Sequence, residues 1–411
     1  MKIMLLVEEL GIGGLPNYVL DLARALNAQG DRTLVAHQGQ QVPAHLDCTG
    51  VQLLGLGDAD SPGQALERIQ AWEPDLVHVH LCSDSDLLAA LTNSGLALMR
   101  SFHDYTSMCL RRGRRRFPGD RCQRPLDWSC ALNGCLIGPP KAGGRVPRLM
   151  DLAGKLNERG MYQRFRGAVV GSQHMGRVLR INGFSEQRIH VVPYFSRFDQ
   201  QAQQPQAVGK PALQGRPLQL LFAGQAVKGK GLEVLVKALA EIQGDWRLVA
   251  ISSGPRLASA RGLAEKLQLS SRITFIDWLT PEELAGHYRG ADLFVLPSVW
   301  DDPGPLVGIE AMAFETPVLA FAVGGIADYV RDGHTGLLVT DVSVKGLAAG
   351  LQRALDEPER LAVLGRAARE WVKANHSRDG HIRALRALYE QCTHNLPAHP
   401  PLGLIYGSAR V

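Results

Sequence analysis

The sequence holds no apolar run near the roughly 18–20 residues that a helix needs to cross a bilayer. Its start, Met1-Lys2-Ile3-Met4-Leu5-Leu6-Val7, meets Glu8 and Glu9 too soon for a signal peptide. That stretch reads as a buried first strand, and the expected location is the cytosol. Seven cysteines, an odd number, argue against a full disulfide framework, and cytosolic thiols are kept reduced. Charge of one sign is also scarce. A net charge of +5 is too mild to predict nucleic-acid binding. No Gly-x-Gly-x-x-Gly fingerprint is present, which weighs against a nicotinamide enzyme. Nothing suggests disorder or a fibrous repeat, since 45% hydrophobic residues suffice to fill ordinary cores. At roughly 100–200 residues per domain, 411 residues predict two domains.

What is present is a rhythm. Short β-branched runs alternate with helical spacing, which predicts βαβ units and parallel sheets. Strands are expected at Lys2–Val7, Thr33–Ala36, Leu76–Val79, Leu98–Phe102, Ala168–Val170 and Ile189–Val192. The pattern lapses over 200–216, a Gln-, Ala- and Pro-rich linker. It resumes with Leu218–Ala223, Arg247–Ile251, Ile273–Ile276, Leu293–Leu296, Pro317–Ala320 and Leu337–Val339. The expected fold is α/β, with two Rossmann-like doubly wound parallel-sheet domains facing a central cleft. The domains are 1–199 and 217–375, with a C-terminal helix in 376–411 packing back on the first domain.

Four motifs carry chemistry. Gly11-Ile12-Gly13-Gly14 follows the first strand and precedes a helix, where free N–H groups can meet phosphate. A tight turn with no ligand would look the same. Asp301-Asp302-Pro303-Gly304-Pro305-Leu306-Val307-Gly308-Ile309-Glu310 precedes and opens another helix. Its first amides, those of Leu306 and Val307, are unpaired donors suited to a diphosphate. Glu310 leans toward that N-terminus and can accept from two ribose hydroxyls, with Asp302 placed for a sugar hydroxyl. The plainer reading is a solvated glutamate on a capped helix. Phe222-Ala223-Gly224-Gln225 followed by Lys228-Gly229-Lys230-Gly231 offers an ammonium to a leaving diphosphate, or merely solvated lysines. Arg100-Ser101-Phe102-His103-Asp104 ends a strand in a His-Asp pair, next to a strand ending in His78 and His80. Carboxyl ends of strands are where open α/β sheets place ligands.

In this order and spacing, the motifs resemble the group 1 family of retaining glycosyltransferases with the GT-B fold. Asp302 to Glu310, then Glu310-Ala311-Met312-Ala313, Gly324-Gly325-Ile326 and Gly333-His334-Thr335-Gly336 look like that family's Glu-x7-Glu donor motif and the glycine pair after it. The resemblance implies a soluble enzyme moving a sugar from a nucleoside diphosphate to a glycan or lipid-linked acceptor. Gly13 and Gly14 would border the diphosphate. His103 would hold a donor-sugar hydroxyl, Lys230 the diphosphate, Asp302 the sugar and Glu310 the ribose. Gly304, Leu306 and Val307 would supply backbone contacts. No metal is implied for catalysis. Two departures stand out: Gln225 occupies the place of a common arginine, and Asp302 that of the first glutamate. They keep open a non-catalytic sugar-nucleotide binder on the same fold.

One segment breaks the rhythm. Thr106 to Pro147 shows no clear strand or helix and holds Cys109, Cys122, Cys130 and Cys135. A branch of the family has a similar His-Asp-Tyr and four-cysteine arrangement. Four thiolates could hold a structural zinc, although no Cys-x-x-Cys pair is present; free thiols and disulfides are the alternatives. Arg111-Arg112-Gly113-Arg114-Arg115-Arg116 lies here too. From Arg100 to Arg166 there are fifteen Lys and Arg against five acids; a solvated loop is the plain reading of the arginine run, and contact with a phosphate-bearing acceptor or an anionic membrane surface is the sharper one. The expected location is cytoplasmic, with a peripheral position at the inner face of the membrane as the alternative that the sharper reading opens.

Overall fold

The computed structural model describes residues 1–11, 14–44, 46–115, 121–138, 147–200, 215–277 and 279–394. Gly13 and nearly all of the expected linker lie outside these residues. The chain divides into two compact units, Met1–Pro193 with Arg378–Val411, and Tyr194–Ser377. Each is taken by itself.

In the first unit the strands are β1 (Lys2–Val7), β2 (Arg32–His37), β3 (Leu53–Gly55), β4 (Leu76–Val79), β5 (Leu98–Phe102), the short β6 (Ile137–Gly138) and β7 (Arg148–Leu149), β8 (Gly167–Val170) and β9 (Ile189–Val191). Seven of them form one parallel sheet in the order β3-β2-β1-β4-β5-β8-β9. β1, β4 and β5 are apolar along most of their length and almost wholly buried, as strands covered on both faces must be. β6, within the segment expected to lack structure, and β7, just beyond its end, form a separate antiparallel pair.

The second unit contains β10 (Leu218–Ala223), β11 (Trp246–Ile251), β12 (Ile273–Ile276), β13 (Leu293–Leu296), β14 (Val318–Phe321) and β15 (Gly336–Val339). Their parallel order is β12-β11-β10-β13-β14-β15. The buried Leu235, Trp246, Phe294, Met312, Leu319 and Leu351 belong to one core that spans the sheet and its helices.

Both sheets reverse strand order once, beside β1 in one and beside β10 in the other. A crevice opens outside the carboxyl ends at such a switch point. The glycine turn after β1 and the histidines after β4 and β5 lie at the first. The lysine loop after β10 and the Asp302 loop after β13 lie at the second.

Candidate functional site

In the first unit the site grows from strand alternation. Successive side chains on a strand point to opposite faces. His78 is in register with Met99, so His78 and His80 share one face with Ser101 and His103. Arg100 and Phe102 take the opposite face, where the guanidinium lies 4.1 Å from the Tyr162 ring and 5.0 Å from that of Phe102. On the histidine face the rings touch. His80 Nδ1 is 3.0 Å from His103 Nε2, and His78 Nε2 is 2.8 Å from Ser101 Oγ.

Two helices close over this face. Gly14–Ala28 brings Tyr18, whose ring meets His80, His103 and His381 edge-on. The final helix, Arg378–Thr393, brings His381 and Tyr389. Tyr389 OH lies 2.8 Å from His78 Nδ1, and Arg386 pairs with the buried Asp31 at 2.9 Å. His381 Nδ1 faces the Pro193 carbonyl oxygen at 2.8 Å, which can only accept. The proton is therefore on Nδ1, and Tyr18 OH donates to His381 Nε2 at 2.7 Å.

Burial first, then like charges, keeps these imidazoles neutral. His78 is pushed down to about 3 by burial, His381 and Arg100. His103 falls well below its ordinary value through burial and Arg100, and His80 through burial and His78. His80 Nε2 is buried without a partner. A buried orphan N–H is rarer than a buried bare lone pair, which assigns the His80 proton to Nδ1. That Nδ1–H donates to His103 Nε2 and leaves the His103 proton on Nδ1. A neutral imidazole fixed in one tautomer suits recognition of an uncharged hydroxyl. Gly14, the first residue of its helix, is exposed beside this cluster in sequence.

In the second unit charge dominates. The helix Leu306–Ala313 starts after Pro305, which offers no side-chain cap. Among the described residues, the amides of Leu306 and Val307 have no hydrogen-bond partner. Gly304 precedes them at φ +154°. Lys230 Nζ donates to Asp302 Oδ2 at 2.6 Å, so the two residues expected to hold separate ligand groups hold each other. Ser298 adds a longer bond to the same oxygen, 3.3 Å. The ammonium keeps further protons to offer.

The Asp302 backbone is clamped from behind. The Gly325 amide donates to the Asp302 carbonyl at 2.7 Å. Gly324 sits at φ +57°, and a Cβ there would lie 2.0 Å from the same carbonyl oxygen. Gly231, at φ +76°, ends the lysine loop; a Cβ on it would strike the Pro297 carbonyl at 1.9 Å. The Val299 amide donates to the Gly229 carbonyl at 2.8 Å. Glycine thus lets the two loops meet.

Glu310 is 1% exposed. It accepts from Arg197 Nε on Oε1 and from Tyr288 OH on Oε2, each at 3.0 Å. It is therefore not a solvated glutamate, and both oxygens already have a protein partner. Two of a carboxylate's four lone-pair positions remain. Gln225 is exposed and brings no charge.

The residues missed by sequence reading are Tyr18, His381, Tyr389, Arg197 and Tyr288. Arg197 reaches Glu310 from 113 residues before it, Tyr389 reaches His78 from 311 residues after it, and Tyr288 meets Glu310 from another helix 22 residues earlier. Only tertiary packing reveals them.

The four cysteines of the insertion are uncrosslinked. Burial, with repulsion from Cys130, Cys109 and Cys122, pushes the Cys135 thiol up to about 11. Among the described residues, no three His, Cys, Asp or Glu are arranged to hold a metal ion. Cys135 and Cys130 pack with Leu110, Leu126 and Leu152 in a small apolar core.

Comparison with known proteins matches each half to a family. Residues 203–371 match "Glycosyl transferases group 1" and residues 12–195 match "Glycosyltransferase Family 4". The D-inositol 3-phosphate glycosyltransferase of Rhodococcus jostii is 35% identical over 193 residues, which is 44% of this chain and 42% of the relative. That of Corynebacterium efficiens is 38% identical over 182 residues, 42% of each. The chain thus spans less than half the length of the curated relatives it matches. A glycosyltransferase from Rickettsia africae superposes with a TM-score of 0.73 at 16% identity, covering 96% of this chain and 99% of that one. HepE from Anabaena, solved with UDP and glucose, gives 0.70 at 16% identity, covering 95% and 100%. These neighbours share the GT-B fold with this chain. No helix among the described residues is long and apolar enough to cross a membrane.

Proposed function

We propose that this chain, a family 4 glycosyltransferase domain followed by a group 1 domain on the GT-B fold, transfers a hexose-type sugar from a nucleoside diphosphate to a hydroxyl of a glycan or lipid-linked glycan, with retention at the anomeric carbon. The observation that carries this reading is the uncapped N-terminus of Leu306–Ala313, with two unpartnered amides beside the Lys230–Asp302 pair. Backbone donors and an ammonium fixed in place stabilise the charge that grows on the leaving diphosphate without reorganising. Glu310 and Asp302 orient the ribose and the sugar. His103 holds a sugar hydroxyl.

In the reaction the C–O bond to the diphosphate breaks and one to the acceptor oxygen forms on the same face. The acceptor proton passes to the departing phosphate oxygen. Most of the rate then comes from positioning and electrostatics. Solved neighbours holding UDP and glucose, and relatives named for an inositol phosphate, support a sugar-nucleotide donor and a polar acceptor.

Gln225 and the ion-paired Asp302 favour a second reading, a sugar-nucleotide binder without turnover. Incubation with a panel of nucleoside-diphosphate sugars separates the two. Released nucleoside diphosphate, lost in Glu310→Gln, supports the enzyme. Tight binding without release supports the binder, and no affinity for any nucleoside diphosphate overturns both. Zinc analysis of the purified chain decides whether a metal joins the four thiols.

A further inference from the structure

The insertion after β5 turns apolar side chains outward. Of the six large hydrophobic residues exposed on the described chain, four lie between 128 and 149. Trp128 is 68% exposed, Leu132 90%, Ile137 62% and Leu149 83%. Scattered apolar residues are ordinary on a surface, whereas a cluster marks an interaction site.

Local geometry explains why they face out. Ile137 and Leu149 are directly paired on β6 and β7, so they stand on one face. Their neighbours Leu136 and Met150 take the other face and pack on the small core of Leu110, Leu126, Cys135 and Leu152. Trp128 and Leu132 stand four apart around the short helix Ser129–Leu132, one above the other, while Cys130 between them joins the same core. The core is thus spent on holding up two outward apolar pairs.

The charge around them selects the partner. Residues 109–150 contain ten Lys and Arg against two Asp. Arg112, Arg121, Arg124 and Arg148 are exposed. Exposed apolar side chains in the same segment as exposed arginines match a bilayer with anionic headgroups, and stable anchoring takes two such signals together. Tryptophan is enriched at that boundary.

We propose that the insertion docks on an anionic membrane, with Trp128, Leu132, Ile137 and Leu149 entering the headgroup region and the arginines binding lipid phosphate. This deepens the acceptor reading by giving a lipid-linked acceptor a surface on which to be met. The test needs no sugar nucleotide, so either can fail alone.

The full chain is floated with vesicles of phosphatidylcholine alone or mixed with phosphatidylglycerol. Binding is expected with the mixture and lost with phosphatidylcholine alone. Trp128→Ser with Leu132→Ser, and separately Ile137→Ser with Leu149→Ser, should each weaken binding roughly tenfold. Arg112→Gln with Arg124→Gln should weaken it several-fold and flatten its dependence on salt. Unchanged thermal unfolding of the variants excludes misfolding. Absence of vesicle binding by the parent chain overturns the proposal, as does equal binding by all variants. So does concentration-dependent self-association abolished by the serine variants, which would make the patch a protein interface.

Discussion

The two units handle buried polarity in opposite ways. The first gathers His78, His80 and His103 under Tyr18 and Tyr389 and keeps the rings neutral by burial. The second keeps Asp302 and Glu310 beside Lys230 and Arg197. A neutral cluster suits hydroxyls, whereas paired charges beside a helix N-terminus suit phosphate. The division of labour follows from which groups each sheet can afford to bury.

The comparison breaks most sharply at Glu310. Glu310→Ala leaves a guanidinium and a tyrosine hydroxyl facing a void. It should cost about 3 kcal/mol or more in stability and reduce donor turnover on the order of a hundredfold. Denaturant unfolding and nucleotide-release assays check this; a stable, active variant would remove Glu310 from the site. Gly324→Val probes the same unit through its backbone. The new side chain must displace the Asp302 carbonyl, at about 3 kcal/mol. Thermal unfolding should fall, and donor binding with it.

Acid should expose the first unit. His78, with a folded value of about 3 against 6.5, stays neutral while its unfolded counterpart protonates. His80 and His103 act in the same direction. Stability is unaffected above about 6.5 and declines as pH falls below it, by up to about 1.4 kcal/mol per pH unit for each histidine. In the second unit His376, at about 4, adds one such group. Hydrogen exchange resolved by unit should show the first loosening more steeply. Equal slopes would mean that the histidine cluster is open to water.

A smaller effect is expected for His80, a positioning residue that acts through His103. His80→Phe should cut turnover about tenfold, leave donor affinity in place and change the His103 ring nitrogen shifts to those of mixed tautomers. Unaltered shifts would show that His103 sets its own proton. Gln225→Arg is the mildest change. Restoring a cation beside the lysine loop should tighten nucleoside-diphosphate binding by about threefold, an effect that salt should erase.

Much of this was legible beforehand where short-range rules govern. Short apolar runs located β4 and β5 and put His78, His80 and His103 at or near strand ends, because burial on both faces demands such runs. The turn chemistry of Asp302 to Pro305 announced the helix at Leu306. β3 and the β6–β7 pair escaped, being only three and two residues long with little periodicity to detect. The partners of the site residues escaped for a different reason. That Lys230 would hold Asp302, or that Arg197 would hold Glu310, depends on where loops meet, and no spacing encodes it.

The last helix carries a lesson about order of manufacture. Tyr389, His381 and Arg386 fasten onto side chains from the first hundred residues. A ribosome releases those early strands roughly ten seconds or more before it finishes the piece that covers them. Until then the histidine face stands open to water and to chaperones. The nascent first half should therefore persist as a loosely closed intermediate, and its completion waits on the synthesis of Arg378–Thr393.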